Sequence, residues 1–162
     1  MALFLLDCEC VWIQNKMYPK EISLLAVNDP INMKHFLIHI PQNIRVGVKD
    51  DKRNTFLYRY MHHLHFHRGT KSLIDLASCI PVGSTLYVQG DEKQAYFQQV
   101  FPQCRVLCLN APSLSKLEPA PMHIQCPIGF HSRYHCTTMK IYKMLKYFQN
   151  YHNFPIYYGG SN

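Results

Sequence analysis

The order of the apolar runs constrains this chain most. Three strand-like segments stand close together near the start: Leu3–Leu6, Glu21–Val27 and Lys34–Ile40, the last ended by Pro41. Short connections between them, one a turn over Asn15 to Pro19, predict an antiparallel meander. Two further strands, Thr85–Gln89 and Arg105–Leu109, are reached only through helical stretches. Phe56, Tyr60, His63, Leu64 and His67 recur at helical spacing, as do Leu73, Leu76, Ala77 and Ile80 before Pro81-Val82-Gly83. A third helix starts at Gly90-Asp91 and runs to about Val100. The last spans about Tyr134 to Tyr151, with Met139, Tyr142, Leu145 and Phe148 on one stripe. Gln42–Asn54 and Asn110–Pro121 read as loops. The order β-β-β-α-α-β-α-β-α predicts an α/β fold, a mixed sheet of about five strands flanked by helices. Sites in such sheets form at the C-terminal ends of central strands.

A chain of 162 residues suits one domain, expected over residues 1–154 with a flexible tail over 155–162. Hydrophobic residues at 48% against 17% charged exclude a disordered chain. Seventeen Lys and Arg against ten Asp and Glu leave a net charge of +7, which points to a polyanion, nucleic acid foremost. Eleven Tyr and nine Phe supply faces on which unpaired bases stack. The apolar run Ala2–Leu6 stops at Asp7 with no basic segment before it, so it does not read as a secretion signal. No window approaches the roughly 18 apolar residues of a membrane helix. Seven unevenly spaced Cys without an export signal predict an intracellular protein whose thiols serve packing or metal.

Asp7-Cys8-Glu9 carries the first chemical signal. On an extended strand, carboxylates at i and i+2 point the same way. Such a pair either holds a divalent cation, Mg²⁺ or Mn²⁺, or ends a strand in solvent. Cys126-x4-His131-x4-Cys136 is the second signal. Thiolate and imidazole are preferred Zn²⁺ ligands, and His135 competes with His131 for the third place. The alternative is a loop with two buried thiols.

The acidic opening motif and the order of elements resemble the DEDD-type 3′–5′ exonucleases of the RNase H-like fold, over most of residues 3–150. The resemblance implies a metal-binding Asp-x-Glu on the first strand, a second Asp after the fourth strand and a His-x-x-x-x-Asp motif on the last helix. Here the region after strand four is Gly90-Asp91-Glu92-Lys93-Gln94, with Lys93 or Gln94 near the usual place of the second Asp. The last motif has His135, but Lys140 stands at the final carboxylate position, where an ammonium repels metal. The chain also resembles the Maelstrom domain, a derivative of that fold with a Glu-Cys/His-His-Cys zinc site. Lys20-Glu21-Ile22-Ser23, Cys126, His131 and Cys136 match it in order, and Gly90-Asp91-Glu92-Lys93 is similar to a Gly-x-Glu-Lys segment of that lineage. That resemblance implies structural Zn²⁺ held by Glu21, Cys126, His131 and Cys136, and RNA binding with at most weak cleavage in RNA silencing or its suppression. Unlike many Maelstrom domains, this chain keeps Asp7 and Glu9.

Two basic regions complete the reading. Lys140, Lys143 and Lys146, with Arg133 and with Lys93 opposite, form a candidate single-stranded RNA groove, and Arg45, Lys49, Lys52 and Arg53 form a basic loop. In His62–Arg68, His63 and His67 stand at i and i+4 and could chelate, or the segment is a helix end stabilised before Gly69. Three functions follow as expectations. The first is a zinc-stabilised, catalytically degenerate RNA-binding domain. The second is a metal-dependent 3′–5′ exonuclease using Asp7, Glu9, Asp91 and His135. The third is a protein-interaction module.

Overall fold

The computed structural model describes residues 2–113, 116–117, 119–120, 124–127 and 135–151. It contains β1 (Leu3–Ile13), β2 (Lys16–Ala26), β3 (Lys34–Leu37), α1 (Val48–Tyr60), α2 (Leu73–Ala77), β4 (Thr85–Val88), α3 (Asp91–Val100), β5 (Arg105–Cys108) and α4 (Thr137–Tyr151). The strands form one sheet in the order β3-β2-β1-β4-β5. β1, β2 and β3 pair antiparallel, whereas β4 and β5 run parallel to β1. This is the expected mixed five-stranded sheet with flanking helices.

Strict alternation along β1 sends side chains to two cores. Phe4, Leu6 and Cys8 meet Ile22, Leu24, Leu76 of α2 and Phe97 of α3 on one face. Leu5 and Leu25 meet Ile141, Met144, Leu145 and Phe148 of α4 on the other. No described helix is long and apolar enough to cross a membrane.

Several expected boundaries shift. β1 continues past Asp7 and Glu9 to Ile13, and β2 begins at Lys16 rather than Glu21. The turn is tighter than predicted, because Gln14 and Asn15 both take positive φ, 52° and 61°, and close a two-residue hairpin. Pro19 and the acids looked like strand ends. Instead Cys10 pairs with Pro19 and Glu9 with Glu21, so Lys20 is the extra residue of a bulge. α1 starts inside the segment expected as a loop and ends at Tyr60, not beyond His63. Its apolar residues do not mark a core face: the only buried residue in it is Asp50. That removes the helical chelating pair, since His63 has φ 55° and the chain from Met61 to His67 is not helical. Buried His62 bridges there instead, accepting from the Leu64 N–H on Nδ1 (2.9 Å) and meeting the Cys10 carbonyl with Nε2 (3.1 Å). Gly69 closes the segment because a Cβ there would stand 2.5 Å from the Ile38 carbonyl oxygen.

A carboxylate pair closed by two lysines

Asp7 and Glu9 lie on the face of β1 turned toward α4. Across the β1–β2 ladder they stand opposite Ser23 and Glu21. These residues dock the start of α4. The Ser23 hydroxyl bonds those of Thr137 (2.7 Å) and Thr138 (3.1 Å), and Glu21 Oε1 accepts from the Thr137 N–H (3.1 Å). The next position on that helix face is Lys140, three residues on. Its ammonium bonds Glu9 Oε1 and lies 3.8 Å from Asp7 Oδ2. From the other side, Gly90 (φ 106°) turns the chain from β4 into α3, whose first turn carries Lys93. Lys93 Nζ donates to Asp7 Oδ1 at 2.6 Å.

The group is nearly dry. The Asp7 side chain is 0% exposed, Glu9 14%, Lys140 15% and Lys93 22%. Burial opposes the charge of both lysines, but the carboxylates outweigh it and hold both ammonium pKa values above the ordinary value. Burial pushes Glu9 up, partly offset by Lys140. Asp7 Oδ2 accepts no hydrogen bond among the described residues and is balanced only by the Lys140 charge. Two carboxylates thus face two ammoniums. A hard dication would have to displace Lys93 from the lone pairs it needs, next to a second positive charge.

His135 stands just before α4 with Nδ1 4.0 Å from Glu9 Oε1, beside the pair. Asp91, at the start of α3, is exposed on the rim of a cavity of about 310 Å³ shared with Glu9, Lys93 and Lys140. It makes no ion pair among the described residues.

Of the expected zinc ligands, Glu21, Cys126 and Cys136 approach one another. Cys136 is buried and packs with Cys126, Met139 and Ala120. Its thiol is pushed up to about 12 by burial, with Cys126 and Glu21 adding to the shift. Two thiols and a carboxylate have the donor chemistry of a zinc site. Among the described residues, however, no three His, Cys, Asp or Glu are grouped tightly enough to hold a metal. His131, like Arg133, lies outside the described residues. His35, not singled out from the sequence, meets Glu21 Oε2 at 3.0 Å. Its place comes from the β2–β3 register, where it faces Ser23, and no local pattern reveals that.

The expected RNA-binding cations divide. Lys93 and Lys140 turn toward the carboxylates. Lys143 and Lys146 line a second cavity of about 270 Å³ with Lys116, Tyr147 and Tyr151. The rings of Tyr147 and Tyr151 stack at 4.4 Å, and Tyr151 is 72% exposed. No protein-family model and no curated protein matches this chain.

Proposed function

We infer that this chain is a nuclease-fold domain that has exchanged metal-dependent cleavage for binding of single-stranded RNA. The observation that carries this reading is the closure of Asp7 and Glu9 by Lys93 and Lys140. Two-metal cleavage needs ions about 4 Å apart on free carboxylate oxygens, and here ammoniums take that place. Binding is supported by the net charge of +7 and by Lys116, Lys143 and Lys146 grouped beside the stacked Tyr147 and Tyr151. Lysines hold phosphates without regard to sequence, and an exposed tyrosine ring accepts a base. In the same reading Zn²⁺ bound by Glu21, Cys126, Cys136 and His131 ties β2 to the start of α4, a structural role.

The test is a labelled single-stranded RNA incubated with the protein, followed for binding and for cleavage. Binding that weakens steeply with salt and no Mg²⁺- or Mn²⁺-dependent degradation are expected. Lys143→Glu/Lys146→Glu should weaken binding at least tenfold. Rapid Mg²⁺-dependent degradation abolished by Asp7→Ala would return the chain to the working exonucleases. Failure of the wild type to bind at low salt would remove RNA from the reading.

A further inference from the structure

α1 is an inverted amphipathic helix. Polar contacts rather than apolar ones fix it to the β1–β2 hairpin. Asp50 accepts from the Asn15 N–H (2.9 Å), and Asn54 clasps Trp12, accepting from its N–H (2.7 Å) and donating to its carbonyl (2.9 Å). The aromatic rings of the helix face solvent: Phe56 is 55% and Tyr60 66% exposed, with ring centroids 5.2 Å apart. At 3.6 residues per turn, Lys49, Lys52, Arg53, Phe56, Arg59 and Tyr60 fall within one sector of about 120°. All six are exposed. The acids Asp50 and Asp51 lie outside that sector. Arg53 also stacks over the Trp12 ring at 3.3 Å, which holds its guanidinium at the edge of this sector.

We propose that this face of α1 is a second platform for single-stranded RNA, bases stacking on Phe56 and Tyr60 and phosphates lying along Lys49, Lys52 and Arg59. Exposed aromatics of this size on a soluble helix mark a contact surface. Four cations and no carboxylate on the same stripe select a polyanion over an acid-containing protein face. Alternating cations and rings are what an unpaired strand needs, whereas a duplex hides the base faces that stacking uses. The stripe is about 16 Å long, room for a short run of nucleotides rather than one.

This inference rests on the single-stranded RNA reading above, and its test separates the two. Binding of a fluorescent oligouridylate and of an RNA duplex is measured for the wild type, Phe56→Ala/Tyr60→Ala, Lys52→Ala/Arg59→Ala and Lys143→Glu/Lys146→Glu. The aromatic pair should weaken single-strand binding about tenfold or more at an unchanged salt slope, with little effect on the duplex. Loss of two phosphate contacts should lower the slope by about 1.4. The altered residues are exposed, so the melting temperature should hold, and ultraviolet crosslinks to the wild type should map to α1 independently of any variant. If the α1 variants bind like the wild type while the α4 variant is impaired, or if crosslinks avoid α1, this proposal is wrong and the function stands. An α1 face serving a protein partner gives that same outcome. If the wild type binds no single strand, both fail.

Discussion

Asp7 is held on both sides by lysines. Its carboxylate is fully buried, one oxygen is bonded to Lys93, and the other has no hydrogen bond among the described residues and lies 3.8 Å from the Lys140 ammonium. A buried pair gives little net stability over an apolar replacement, but removing one partner strands the other. Asp7→Ala should therefore destabilise the fold by about 3–5 kcal/mol in urea unfolding. Asp7→Ala/Lys93→Met should recover much of that loss, because the orphaned charge is gone. Equal losses in the single and double variants would mean that packing, not charge, is what Asp7 supplies. At this scale the sequence was half legible. The spacing of Asp7 and Glu9 set both on one strand face, and Lys140 stood out at the position that the exonuclease resemblance gives to a carboxylate. The pairing was not legible, since 86 residues separate Asp7 from Lys93 and 131 separate Glu9 from Lys140.

At the scale of elements, types and order followed from periodicity because the apolar residues of most segments face a core. α1 misled for the opposite reason: polar residues anchor it and rings point outward. The long hairpin misled because Lys20, Glu21 and Pro19 resemble a strand end, whereas the bulge accommodates all three. Lys20 is buried, its ammonium donating to the carbonyls of Ile38 (2.5 Å) and Arg68, with no ion pair to an acid among the described residues. Burial lowers its pKa to about 8 from an ordinary 10.5. Below pH 8 the amine is charged in both folded and unfolded states, and the cost of burying it is complete. Between about pH 8 and 10.5 the unfolded chain binds more protons, so this residue makes stability rise with pH. Lys20→Met removes that slope. The stability of the wild type relative to the variant should improve by about 1–2 kcal/mol from pH 7 to pH 9.5. Thiols and other lysines titrate alike in both proteins and cancel in the difference. A gap that stays constant with pH would mean that the Lys20 amine keeps its ordinary pKa in the fold.

Over the whole molecule, the described lysines fall into two groups. Lys93 and Lys140 neutralise Asp7 and Glu9, while Lys49, Lys52 and Arg59 of α1 and Lys146 of α4 are exposed. This division predicts what acids at positions 93 and 140 will do. Lys93→Asp/Lys140→Asp subtracts two charges at each exchange, taking the net charge from +7 to +3. It gathers four carboxylates around the position the ammoniums now fill. Without metal they repel one another in a nearly dry site, so the variant should melt well below the wild type. Mn²⁺ or Mg²⁺ should rescue it, because a ligand bound only by the folded state adds stability, about 2.7 kcal/mol at a hundred times its Kd. The wild type should show no metal-dependent shift at that site. RNA binding by the metal-loaded variant should keep most of its strength, since neither exchanged lysine is assigned to a phosphate. Four calorimetric scans, each protein with and without Mn²⁺, and one binding titration decide the matter. A wild type stabilised by Mn²⁺ to the same extent would show that the lysines do not close the site. Loss of RNA binding in the rescued variant would place phosphates on Lys93 and Lys140 after all.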